Sequence, residues 1–138
     1  MKELKLEARQ ENVRILTEMV DAELEKLDCP MKTQMQIELA IDEVFTNIVS
    51  YAYVSGTGEA TATIQFDYDP ATGCMTLVFL DNGIPYNPLK KEDPDVTLPA
   101  EKREIGGLGI FLVKKTMDDM RYEYQDGQNR LTLVKKIN

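Results

Sequence analysis

The stretch MKTQMQIELAIDEVFTNIVSYAY, Met31 to Tyr53, constrains the fold more than any other part of the chain. Ile37, Ile41, Val44, Phe45, Ile48 and Ala52 recur at steps of three and four. At about 100° per residue this gathers them on one side of an α-helix, which must bury itself in a core. Glu43 and Asn47 are four residues apart, so their side chains stack on another face of the same helix. Pro30 suits a first helical turn, and Asp28 or Cys29 could supply the cap, so the helix is expected to start near Met31. Taken alone, Glu43 and Asn47 also read as solvated helix-surface residues; two later motifs weigh against that.

The length of 138 residues fits one domain, 1–138, able to bury its own core, and 43% hydrophobic content is that of an ordinary globular chain. No apolar run approaches the roughly 20 residues needed to span a bilayer. The start MKELKLEARQE lacks a signal peptide's apolar centre, so a cytoplasmic location is expected. Cys29 and Cys74 have neither metal-ligand spacing nor disulfide density and read as free thiols. The chain has no histidine, which excludes His acid–base catalysis, His metal ligands and phosphohistidine. A net charge of −8 with scattered basic residues disfavours nucleic acid and anionic membranes and favours protein or metal–nucleotide partners.

Leu4, Leu6 and Ala8 alternate with charged residues as in a short edge strand, and Val13, Leu16, Val20, Leu24 and Leu27 mark a first amphipathic helix. After the long helix, Ser55 to Gly58 forms a turn. Ala60–Tyr68 and Cys74–Leu80 read as a hairpin around the loop Asp69–Gly73. Tyr86 to Glu104, with Pro88, Pro94, Pro99 and many charges, reads as a mobile loop of a length usually reserved for lids. A helix Ile110–Met117 follows, then strands Met120–Gln125 and Arg130–Ile137 joined through Asp126-Gly127. Helices grouped apart from hairpins predict an α+β fold, a two-layer α/β sandwich with helices on one sheet face.

Two glycine motifs remain. Asp81-Asn82-Gly83-Ile84-Pro85 follows a strand and Gly106-Gly107-Leu108-Gly109 opens a helix; each alone reads equally as a turn. A glycine-rich helix start also offers bare backbone N–H groups and the positive end of a helix dipole to a phosphate. Neither the P-loop nor the dinucleotide fingerprint is present, which implies a different nucleotide fold.

The order Glu-x-x-x-Asn on a helix, strand then Asp-x-Gly-x-Pro, irregular lid, and Gly-Gly-Leu-Gly then helix resembles the GHKL (histidine-kinase-like) ATPase superfamily. IELAIDEVFTNIVSYAY, DNGIPYNP and GGLGIFLVKKTMDDMRYEY are most similar to its anti-sigma-factor serine kinases. The resemblance covers nearly the whole chain. It implies the Bergerat-type sandwich with a mixed, mostly antiparallel sheet and an ATP lid at about 86–105. Under it Asn47 ligates a Mg²⁺ bridging the phosphates, and Glu43 orients and deprotonates the attacking hydroxyl. Asp81 accepts from the adenine amino group, Gly83 lets the backbone approach the base, and Gly106, Gly107, Leu108 and Gly109 hold phosphate. Lys102 or Arg103 is the lid cation for the γ-phosphate. Many relatives carry a basic residue one turn beyond the Mg²⁺ asparagine; here Ser50 and Tyr51 take that place in the ATP site.

The activity so implied is that of an ATP-dependent protein serine/threonine kinase and anti-sigma factor using ATP and Mg²⁺. Its implied partners are a STAS-type anti-anti-sigma protein, a sigma factor and a second copy of the chain. Two alternatives stand beside it: a non-catalytic module whose partner surface ATP shapes, and an ATP-binding regulator of another pathway.

Overall fold

Helix α2 (Met31–Asn47) forms where the apolar periodicity places it, and its inward residues Ile37, Ile41, Val44 and Phe45 are buried. Burying a side chain of this size contributes roughly 1.5–3 kcal/mol, so this stripe fixes the helix on the core. Helix α1 (Val13–Lys26) packs beside it through Leu16, Val20 and Leu24. The computed structural model describes residues 1–53, 60–90 and 107–137. The expected turn at 55–58 and the expected lid beyond residue 90 lie outside the described residues, as do Lys102, Arg103 and Gly106.

Three local features depart from the expectation. Asp28 and Cys29 close α1 rather than cap α2: Asp28 takes a left-handed φ of 53°, with Asp28 N–H donating to Glu25 O and Cys29 N–H to Leu24 O, both at 3.1 Å. This paired closure satisfies two carbonyls that the helix end leaves open. The residue before α2 is Pro30, which makes no side-chain cap. The regular helix also stops at Asn47, and Ile48–Ala52 widens into a π-helical turn that still buries Ile48 and Ala52. The third helix, α3 (Gly107–Thr116), begins three residues before the expected Ile110, so Gly107 and Gly109 lie in its first turn instead of preceding it.

Strands β1 (Lys2–Glu7), β2 (Thr61–Asp69), β3 (Cys74–Asp81), β4 (Asp119–Gln125) and β5 (Gln128–Lys136) form one sheet in the order β1-β2-β3-β5-β4. All four pairings are antiparallel, which narrows the expected mixed sheet. The reason is topological: β3 and β4 run the same way, but β5 inserts between them and pairs antiparallel with both. The result is an α+β sandwich. Register aligns the core-facing residues in rows, Phe66–Leu77–Leu133–Met120 and Leu4–Ile64–Phe79–Leu131–Tyr122. These pack with the helices into one apolar cluster. No helix among the described residues is long and apolar enough to cross a membrane.

One polar contact crosses the α1–α2 seam. Glu38 hydrogen-bonds the Asp21 side chain, and this bond, with burial and the like charge, pushes Glu38 from an ordinary 4.5 up to about 7. The folded state therefore holds the proton more tightly than the unfolded chain. The contribution to stability is complete below about pH 4.5 and is lost as pH rises through about 7. Glu38→Gln keeps a donor toward Asp21 at every pH. Thermal melting should show wild-type Tm falling between about pH 5 and about pH 8 more steeply than the variant's. Parallel curves would show that the pair does not share a proton.

Candidate functional site

The next row across the sheet changes from apolar to polar. Leu6, Ala62, Asp81, Asn129 and Tyr124 stand opposite one another in sequence across the strands. Asp81 is the last residue of β3, and Asn129 enters β5 just after the tight turn Asp126-Gly127, whose positive φ values of 55° and 76° suit a two-residue hairpin. Both polar residues are buried, 6% and 4% exposed. Such groups are tolerated only when hydrogen-bonded. Asn129 Nδ2 donates to Asp81 Oδ1 at 2.8 Å, and Gly83 N–H donates to the same oxygen at 2.9 Å. Burial pushes the Asp81 carboxyl up, and these two bonds oppose that rise.

The π turn brings α2 against this row. Ile84 N–H donates to Ala52 O at 2.8 Å, and a Cβ on Gly83 would overlap that same carbonyl, so only glycine fits the approach. The Tyr53 hydroxyl ties the other side, accepting from Asn82 N–H at 3.0 Å and donating to Thr61 O at 2.5 Å. Val44, Asn47, Ile48, Ala52, Asp81 and Asn129 thereby line one cavity. Tyr86 and Pro88 close it to about 30 Å³, room for about one water. A larger depression of about 640 Å³ touches the opposite sheet face, but its arginines are already paired, Arg121 with Asp119 and Arg130 with Glu123.

Asn47 presents a buried Nδ2 with no hydrogen-bond partner among the described residues. An unpaired buried amide beside such a cavity is a group that a ligand or water can satisfy. One turn earlier, the Glu43 carboxylate lies against Gly109, where any Cβ would overlap it. Burial, helped by the charge of Asp42, raises the Glu43 pKa. Glu43 and Asn47 thus share one side of α2, as the spacing predicts, and Gly109 in the first turn of α3 lies against Glu43.

Ser50 is exposed on the π turn, while Tyr51 is half-buried and its ring stacks on Tyr86 with centroids 5.0 Å apart. Gly107 and Leu108 lie in the first turn of α3. Arg103 and Gly106 fall outside the described residues. Sequence reasoning missed Asn129, Tyr86 and Tyr53. An asparagine inside a strand is a weak signal that could have marked Asn129, but its pairing with Asp81 depends on a register between strands 48 residues apart.

Residues 6–135 match the model of the histidine kinase-like ATPase domain. Serine-protein kinase RsbW of Bacillus mycoides is 29% identical over 133 residues, covering 94% of this chain and 81% of the relative. Among solved structures, the SiaB–SiaC complex of Pseudomonas aeruginosa contains a chain with the same fold, TM-score 0.64 at 15% identity, covering 98% of this chain and 89% of that one. The RsbU and RsbW domains of a Mycobacterium tuberculosis protein give a TM-score of 0.63 at 13% identity; 99% of this chain matches there, and it spans 33% of that longer chain. With the family model covering nearly its full length, the chain belongs to the histidine kinase-like ATPase domain family.

Proposed function

We propose that this chain is an ATP-dependent protein serine/threonine kinase that phosphorylates a serine of a STAS-type anti-anti-sigma partner, and that it sequesters a sigma factor when that partner is absent. Family membership supports ATP as the phosphoryl donor, and the kinase name of the RsbW relative supports protein serine as the acceptor. The observation that carries the reading is the Glu43 carboxylate resting against Gly109, one helical turn from Asn47. A base, a metal ligand and a phosphate-binding helix start meet there.

Each residue has a distinct task. Asp81 accepts from the adenine amino group; guanine presents an acceptor oxygen at that place and is disfavoured. The backbone N–H groups at Gly107 to Gly109, in the first turn of α3, would hold the phosphates, helped by the helix dipole. The residues suit Mg²⁺, because Asn47 offers an amide oxygen beside the cavity and this ion commonly takes one or two protein oxygens plus phosphate and water. Asn47 Oδ1 would supply the protein ligand. When bound, the ion would neutralise phosphate charge in the transition state. Glu43 aligns the partner's serine hydroxyl and takes its proton while the serine oxygen bonds to the γ-phosphorus and the bond to ADP breaks. Its raised pKa brings the carboxylate nearer the proton affinity a base needs at neutral pH.

Transfer of labelled γ-phosphate to a candidate anti-anti-sigma protein tests this. Glu43→Ala should lower transfer by roughly 10²-fold or more with ATP affinity within a few-fold, the scale of losing a positioned base. Asn47→Ala should weaken Mg–ATP binding itself. A wild type that binds such partners with ATP but transfers nothing would favour the non-catalytic module. Gly109→Ala provides a second test, since alanine suits a helix better than glycine by about 1 kcal/mol but its methyl overlaps the Glu43 carboxylate. That variant should keep its fold by circular dichroism and lose about 10-fold or more in transfer. Full activity would mean that Glu43 does not work from this position.

A further inference from the structure

Asn129 uses every hydrogen-bonding position on its side chain. Besides Asp81 Oδ1, its Nδ2 donates to Ile84 O at 2.8 Å; its Oδ1 accepts from Tyr86 N–H at 3.1 Å and from the Tyr122 hydroxyl. Two donors and two acceptor lone pairs are the full capacity of a primary amide. The orientation is forced, since the flipped amide would set its oxygen against a carboxylate and a carbonyl and its NH₂ against a backbone N–H. One buried side chain therefore links the end of β3, the wall formed by Tyr86 and Pro88, and β4.

We propose that Asn129 is a positioning residue that sets the choice of adenine over guanine, by fixing which oxygen of Asp81 is left for the base. The inference rests on the nucleotide-site reading above. Both hydrogen bonds to Asp81 land on Oδ1, which is thereby filled, and Oδ2 is left as the acceptor a base in the cavity can use. A carboxylate held by Gly83 alone can turn about its own axis, and its free oxygen then no longer stands fixed where the adenine amino group must reach it. The Nδ2 bond also favours the ionised form of Asp81 against the effect of burial. An ionised Asp81 repels the guanine oxygen, whereas a protonated one could donate to it. Asn129 holds Ile84 and Tyr86 in the same grip, so the base acceptor and the wall that closes over it stay in register.

A purely structural asparagine would predict something else, because general loosening weakens ATP and GTP binding alike and leaves their ratio unchanged. The test is calorimetric titration of the whole chain with Mg–ATP and Mg–GTP, with folding checked by circular dichroism. Asn129→Ala should lower the ratio of ATP to GTP affinity by about tenfold or more, the scale of one hydrogen bond to a charged group. Tyr122→Phe removes only the bond at the far side of the amide and should keep the wild-type ratio. If Asn129→Ala does not fold, Asn129→Ser, which retains a small polar group, carries the same expectation. A smaller fall in the folded variant, or an equal fall in Tyr122→Phe, overturns the inference. A wild type that binds neither nucleotide, or both equally, overturns the nucleotide-site reading itself and this inference with it.

Discussion

The polar end of this sheet depends on one buried contact, the bond from the Asn129 amide to Asp81. Two polar side chains in an otherwise apolar core would each cost about 1–3 kcal/mol if unpaired, so they persist only by satisfying each other and the loop that leaves β3. Along the rows of the core face the sheet runs from leucine, phenylalanine and isoleucine to this pair in a single register step. That step turns an apolar packing row into a buried polar one. It also fixes where the cavity opens, because the strand exit at Asp81 and the hairpin re-entry at Asn129 lie side by side.

The helix layer meets this row by close backbone contact rather than by long side chains. Gly83 against the Ala52 carbonyl and Glu43 against Gly109 are both places where a methyl group has no room. The π turn at Ile48–Ala52 follows directly on Asn47. Such turns are frequent at functional sites, since the widened turn frees local groups from the regular ladder. Here it lets Ala52 O accept from Ile84 N–H. One continuous helical segment thus carries Glu43, Asn47 and the carbonyl that anchors the loop after β3.

The sequence revealed the parts of this arrangement that are local. The apolar period of α2 survives in the buried Ile37, Ile41, Val44, Phe45, Ile48 and Ala52, and the four-residue spacing of Glu43 and Asn47 by itself puts them on one face. The hairpins followed from alternation and turn residues. Three things were not legible. Asp28 looks like an N-cap by residue type, yet the chain uses it in a left-handed closure of the preceding helix, a choice made by backbone geometry. The π turn has the same apolar spacing as a continued α-helix. Asn129 sits two residues after a turn glycine and reads as turn composition; its role appears only when β5 inserts between β3 and β4.

The central claim is that a nucleotide binds between the polar row and the head of α3, and an ADP titration of isotope-labelled protein followed by amide NMR tests it most directly. The account predicts that the largest shifts fall together on the backbone amides of Gly83, Tyr86 and Gly107 to Gly109 and on the side-chain NH₂ signals of Asn47 and Asn129. Saturation with shifts confined to the opposite sheet face, around Arg121, Arg130 and Thr132, would contradict it.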